Sequence, residues 1–470
     1  MLTEGRPGLD SSAGAPRGGL AQGLHSRHMT MISIGGAIGA GLFVGSGAGI
    51  RQAGPGILLA YALTSLIVVL IMRMLAELAV ARPDTGAFAV YARLAFGRWA
   101  GFAGGWMYWV GWPLGLAIDA IASGTIVHGW LPSIPVWVAA LVLVAVVTVV
   151  NLTSVRAYGE MEFWVVWLKV AVIVAFIGIG LVAVGGLLPG TDAPGTANLL
   201  GHGGFLPHGM AGVLLAMTGA MFSFSGSEIV TIAAGEAKDP AKAIRGCTRS
   251  ILWRVSVFYL GSLAVVVLLL PWNAGAVGES PFAATLTHLG LDNASAVLQI
   301  VLFAAMVSTM NSQVYASSRM LFALARDRDA PAALGRVSAT SAPRNAILFT
   351  VSLAVACVLL EVVHPTTAFD RLVSMAGDTM FVTWLSVAGA QIVLGRRDRR
   401  AGRAPEPGTG MWLFPWLSWA VLLVVGAMFV SLIVMPDSRV DALGALVLTL
   451  ILSGVSFLCP KPTASPTSPT

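Results

Sequence analysis

The chain has 470 residues, of which 56% are hydrophobic and 11% charged, with a formal net charge of +6. A soluble domain carries charge on roughly a quarter of its residues, so this composition excludes a water-soluble globular protein. The basic excess does not form a nucleic-acid-binding stripe, because it lies in the connections between apolar stretches, where it bears on membrane topology.

Residues 1–28 form a tail whose first part is rich in Gly, Ser, Ala and Arg and has no apolar core of a cleavable signal peptide, so targeting falls to the first spanning segment. Twelve apolar stretches follow, at 29–50, 56–80, 100–128, 136–152, 163–188, 210–234, 251–270, 294–322, 346–363, 371–394, 411–435 and 442–458. Each approaches or exceeds the ~20 residues that cross a ~30 Å hydrocarbon core. Backbone amides cannot stay unpaired there, so each stretch is predicted to be a helix and the whole an all-α integral membrane protein. Residues 460–470 are a Pro/Ser/Thr tail that cannot build a core and is expected to be disordered.

Alternate connections carry the cations: Arg82, Arg93 and Arg98; Arg156; Lys238, Lys242, Arg245 and Arg249; Arg326, Arg328 and Arg336; and Arg396, Arg397, Arg399 and Arg400. The intervening ones carry only Arg51, Arg371 and Arg439. The positive-inside rule then places the basic loops and both termini in the cytoplasm of an inner-membrane protein. Cys247, Cys357 and Cys459 offer neither a disulfide framework nor a metal spacing, and the histidines lie at helix ends or in loops. No metal and no cofactor are expected, and no nucleophile or metal constellation of a membrane enzyme is found.

The first span contains Gly35-Gly36-Ala37-Ile38-Gly39-Ala40-Gly41, a poor sequence for an uninterrupted helix. Close packing through small residues is one use of such glycines. The other is a broken helix whose free backbone groups hold a solute. The sixth span has a matching weak point at Phe222-Ser223-Phe224-Ser225-Gly226-Ser227-Glu228, five helices later. Two five-helix sets, each opening on a broken helix, are the pattern of inverted-repeat carriers. On that reading residues 29–188 are the first repeat, 210–394 the second, and 411–459 two additional helices. Helix dipoles at the breaks suit a carboxylate and exposed carbonyls an ammonium, so a zwitterionic amino acid satisfies both.

Charges inside the spans need a partner or a task. Lys169 lies about seven residues into the fifth span, roughly 10 Å along its axis, where it either snorkels to the interface or is buried and able to exchange a proton. Asp119 lies in the outer part of the third span, beyond Tyr108, Trp109 and Trp112. Glu228 follows the break in the sixth span and is placed to serve the substrate amine, a proton path or the exposed backbone. Glu236 is nearer the cytoplasm, suited to an inner gate or to substrate contact. Asp378, in the tenth span, is open to facing the pocket or pairing with a cation, and Ser308 and Asn311 are candidates to line the cavity near Lys169. Arg73 and Glu77, four apart on one face of the second span, are expected to form a structural ion pair.

These residues carry a resemblance. The run His28-Met29-Thr30-Met31-Ile32-Ser33-Ile34-Gly35-Gly36, then Gly39-Ala40-Gly41-Leu42-Phe43, Gln52-Ala53-Gly54-Pro55-Gly56, the sixth-span motif, Ala233 to Pro240 and Tyr315 to Leu321 resemble the amino acid permeases of the amino acid, polyamine and organocation superfamily. The nearest patterns are those of permeases for lysine, 4-aminobutyrate and aromatic amino acids. The resemblance implies proton-coupled uptake through a ten-helix inverted-repeat core, with broken helices one and six, plus two further helices. It implies substrate contacts at Ile38, Gly39, Ala40 and Gly41, at Tyr108, Trp112 and Asp119, and at Phe222, Ser223, Ser225, Gly226 and Glu228. It also implies that Lys169, within Leu168-Lys169-Val170, stands in for a sodium ion against the unwound first helix. Asp378 departs from the family's pattern, which has an apolar or small residue there. The acids Asp119, Glu228 and Asp378 lean towards a cationic substrate such as lysine, with neutral amino acids, 4-aminobutyrate and an exchange mechanism as alternatives.

Overall fold

The computed structural model describes residues 39–84, 86–153, 155–188, 193–228, 257–278, 280–337, 343–365 and 367–458. The predicted Ile38 and Glu236, and the basic run from Lys238 to Arg249, lie outside them.

Among the described residues all regular structure is helical. A π-helical turn at Gly41–Gly45 leads into α1 (Ser46–Ala53), and a 3-10 turn at Gly54–Gly56 leads into α2 (Ile57–Ala81). Gly54, at φ 60°, turns the chain where an added Cβ would meet the Pro207 ring at 2.4 Å. Then come α3 (Ala87–Phe96), α4 (Arg98–Trp130), α5 (Val136–Thr153), α6 (Val155–Val184), α7 (Ala197–Leu200) and α8 (Gly209–Phe224). The chain continues through α9 (Val257–Leu269), α10 (Pro281–His288), α11 (Asp292–Arg326), α12 (Arg344–Val363), α13 (Ala368–Arg400), α14 (Trp416–Val434) and α15 (Arg439–Leu458). Among the described residues eight stretches of helix are long and apolar enough to cross a membrane, and several shorter apolar ones accompany them.

Each of the twelve predicted spans has a helix within its described residues, with three differences. Short helices α3 and α10 lie in connections read as loops, because each buries an apolar face: Phe88, Tyr91 and Ala92 in α3, and Phe282 and Leu286 in α10. The eleventh span begins at Trp416 rather than 411, since Pro415 has no amide to enter a helical ladder. The helix of the sixth predicted span breaks after Phe224, within the predicted weak point, and the rest of that span beyond residue 228 lies outside the described residues. Finally, Arg73 and Glu77 do not pair with each other. Arg73 donates to the Gly410 carbonyl at 2.8 Å and stacks on Trp412, whereas Glu77 accepts from Gln391 and the Met411 amide and pairs with Arg399 at 3.2 Å. The connection between α13 and α14 folds back over the end of α2 and separates them.

Helix α4 is the axis of the bundle and packs against α3, α5, α11, α12, α13 and α15. Its apolar stretch is 78% buried, against 28% for that of α6 and 17% for that of α15. The rim is correspondingly greasy: Val142, Val174, Leu181, Leu423 and Leu450 are exposed, a cost in water and none against lipid. Trp130, Trp137, Trp164, Trp412 and Trp416 are also exposed, as interfacial aromatics are.

At the basic end of the bundle the arginines are met by acids. Arg93 and Arg98 converge on the fully buried Asp329, whose backbone carbonyl also accepts from Trp106. Arg326 pairs with Asp84 at 2.8 Å and Arg82 with Asp398 at 2.6 Å. These bonds join the α2–α3 loop, α3, the start of α4, the end of α11 with the segment after it, and the end of α13.

Candidate functional site

The two weak points read from the sequence meet at the centre of the bundle. At the first, the Gly39 carbonyl accepts from the Leu42 amide, so helical pairing is under way from this point. The Ala40 amide donates to a side chain, Asp119 Oδ1 of α4, at 2.8 Å. Asp119 thus places a carboxylate on the backbone that opens the π turn, an N-cap supplied from another helix.

At the second, α8 ends at Phe224. Ser225 is extended (φ −58°, ψ 141°) and Gly226 has φ 100°, a conformation costly for any residue with a Cβ. The Ser225 amide bonds back to the Phe222 carbonyl, and the Gly226 amide donates to Glu228 Oε2 at 3.1 Å. Two tyrosines brace the turn before the break. Tyr259 donates to the Ser223 carbonyl at 2.6 Å, while the Tyr61 hydroxyl lies 2.9 Å from Ser223 Oγ, which itself donates to the Gly219 carbonyl.

Glycine lets the two segments touch. A Cβ on Gly41 would lie 2.8 Å from Ser223 Cα, and one on Gly39 would meet Thr309 at 3.0 Å and Asp119 Oδ1 at 3.2 Å. Around this contact is a cavity of about 20 Å³ lined by Gly39, Ala40, Gly41, Trp112, Asp119, Phe222, Ser223, Ser225, Thr309 and Gln313. That is room for about one water molecule.

Two lining atoms have no hydrogen-bond partner among the described residues: the Trp112 Nε1–H donor and the Gln313 Oε1 acceptor. Gln313 is held from its other end, where Nε2 donates to Asp119 Oδ2 at 2.9 Å. An unmatched donor and an unmatched acceptor in one small pocket complement a ligand carrying a carboxylate and an ammonium.

Lys169 is buried, not snorkelled. Its Nζ donates to Thr309 Oγ1 at 3.1 Å, and the Thr309 hydroxyl donates to the Ala305 carbonyl at 3.0 Å. Thr309 in turn borders Gly39 and lines the pocket, so the ammonium is one side chain removed from the first segment.

Of the other residues singled out, Tyr108 is buried next to the pocket, stacked on Phe88 and edge-on to Trp112, but does not line it. Gly226 and Glu228 shape the break, and Asp378 is buried on α13; none of the three lines the pocket. Ser308 is buried beside Thr309, and Asn311 accepts from Asn151 of α5, away from the lining. The sequence reading passed over Thr309, Gln313, Tyr61 and Tyr259. Thr309 and Gln313 are four apart and share one face of α11, a spacing that separates them from Ser308 and Asn311.

The amino acid permease family model matches residues 28–458. The chain is 43% identical over 433 residues to a probable GABA permease of Pseudomonas aeruginosa, covering 92% of this chain and 91% of that protein. It is 40% identical to the gamma-aminobutyric acid permease of Bacillus subtilis, with 94% and 93% covered, and 38% identical to the aromatic amino acid transport protein AroP of Corynebacterium glutamicum, with 94% and 95% covered. Among solved structures it is similar to a mutant of the manganese transporter of Eremococcus coleocola, with a TM-score of 0.58, 14% identity, and 92% and 93% covered. At that identity the likeness concerns the fold.

Proposed function

The chain belongs to the amino acid permease family, and we propose that it imports a zwitterionic amino acid together with a proton, with 4-aminobutyrate the first substrate to test. The observation that carries this reading is the pairing of one unmatched donor, Trp112 Nε1–H, with one unmatched acceptor, Gln313 Oε1, where the Gly39–Gly41 backbone meets the α8 break. The substrate carboxylate goes to the donor side with the segment's amides. The ammonium goes to Gln313 and Asp119. The lean towards lysine rested on three acids, and only Asp119 lines the pocket, so the second cation of lysine has no carboxylate of its own there. The names of the relatives favour 4-aminobutyrate in the same direction.

Proton coupling is assigned to Lys169. The ammonium is buried within electrostatic reach of Asp119 and donates to Thr309, which borders Gly39, so gain or loss of its proton acts on the side chains that surround the first segment. Because the cavity holds little more than a water, a substrate several times larger enters only when the segments around the two breaks move apart, as alternating access through an inverted-repeat core requires. The basic loops and termini are assigned to the cytoplasm of the inner membrane, following the distribution of arginine and lysine.

The test is uptake of labelled 4-aminobutyrate into proteoliposomes under an inward proton gradient. Acidic outside medium stimulates uptake, an uncoupler abolishes it, and Lys169→Ala loses accumulation against a gradient while retaining equilibrium binding. Uptake indifferent to the gradient, or accumulation undiminished in Lys169→Ala, defeats the coupling assignment. Excess lysine that competes better than 4-aminobutyrate defeats the substrate assignment.

A further inference from the structure

A second cavity, of about 290 Å³, lies at the end of the bundle opposite the Arg93–Asp329 cluster. It is bounded by Val44 of the π turn, Ile121, Thr125 and Ile126 of α4, Gln299 and Leu302 of α11, Glu361 of α12, and Phe369 and Asp370 of α13. It shares no lining residue with the central pocket, although Ile121 is two residues beyond Asp119 on α4.

Glu361 is the feature that needs an explanation. It is 91% buried, since its relative exposure is 9%, and its Oε2 has no hydrogen-bond partner among the described residues while the side chain lines the cavity. A carboxyl oxygen sequestered this way costs free energy unless something meets it. The charged groups nearby do not: Asp370 has the same sign, and Arg51 pairs at 3.8 Å with Asp370, both about half exposed. The cavity therefore carries an acidic balance.

We propose that this cavity is a second binding site, which takes a primary alkylammonium ion with the ammonium on Glu361 and the hydrocarbon along Ile121, Ile126, Leu302 and Phe369. The volume is close to the ~300 Å³ at which small-molecule sites begin and far larger than a bare cation fills. A metal ion of the hard class needs about six oxygen ligands, whereas an ammonium is satisfied by one carboxylate and a neighbouring amide or hydroxyl such as Gln299 or Thr125. Most of the wall is hydrocarbon. A zwitterion fits poorly, because its carboxylate would face Glu361 and Asp370 with Arg51 already engaged. The site thus distinguishes amines from amino acids, and an occupant bridging the π turn, α4, α11, α12 and α13 holds these elements in their present relation and slows transport without competing for the central pocket.

Isothermal calorimetry on the purified full-length chain, with n-butylammonium as the probe, tests this without reference to transport. The expected result is saturable binding that is unaffected by saturating 4-aminobutyrate, is not given by butyrate, and weakens about tenfold in Glu361→Gln, the loss of one charge-assisted hydrogen bond. Ile121→Trp, which fills the cavity from a different helix, also loses binding. Thermal melting of both variants shows whether they fold, and the competition measurement on the unmodified chain stands if they do not. Displacement of n-butylammonium by 4-aminobutyrate, equal affinity in Glu361→Gln, or no saturable binding each overturns the proposal. Because the readout is amine binding, failure of the amino acid assignment leaves the result interpretable, and the converse also holds.

Discussion

Helices α4 and α6 invert the rule of a soluble protein. The better buried α4 is the less apolar, with a mean hydropathy of 1.5 over its spanning stretch against 2.6 for α6, which faces outwards over most of its surface. In lipid there is no hydrophobic gain from moving a leucine inwards, so the interior is free for glycine, tryptophan and a carboxylate while the rim takes valine and leucine. The contrast also runs through α6 itself. Trp167 and Leu168 are exposed and Lys169, the next residue, is buried on Thr309. The outward face of α6 is apolar, and its buried cation turns to the centre of the bundle.

The largest effect that separates the two regions is expected from Gly41→Val. Its Cβ would enter the space of the Ser223 backbone. Uptake should fall by about 100-fold or more while the protein still reaches the membrane, as a misplaced site allows. Full activity in proteoliposomes would show that the two segments do not touch in the working protein. Next comes Val174→Arg on the exposed face of α6, five residues from Lys169. A guanidinium there costs about 3 kcal/mol in insertion, read as loss of membrane-inserted chain in a glycosylation-tag or protease-protection assay. Normal insertion would mean that this face is covered by protein. A smaller effect is predicted for Gln313→Met, which keeps the volume but removes the acceptor and the bond to Asp119. KM should rise about tenfold, with the inserted amount unchanged. The smallest belongs to Leu181→Ile on the rim, where melting temperature and uptake should stay within the scatter of the parent chain, a change under about 0.5 kcal/mol.

Much of this was legible in the sequence because the bilayer leaves the backbone few options. Each of the twelve apolar runs has helix within its described residues, and small residues at Gly39 to Gly41 and at Ser225 and Gly226 mark the places where the Ala40 amide turns to Asp119 and where α8 ends. What the sequence could not supply was direction around each helix. From the α11 stretch the sequence offers Ser308 and Asn311 as candidates, and only packing shows that Thr309 and Gln313 face the pocket while Asn311 turns to Asn151. The same gap explains Asp378, whose place in the tenth span says nothing about the face it occupies. Arg73 and Glu77 have the spacing of an ion pair, but a distant loop offered each a better partner, and a local rule has no access to that.

The size of the central hollow has a kinetic consequence. A chamber of about 20 Å³ admits no amino acid by simple collision, so entry must wait for a prior unimolecular opening. In stopped-flow measurements the observed rate of complex formation should then climb with solute concentration and level off at the opening rate, and every solute that uses the same door should reach the same ceiling.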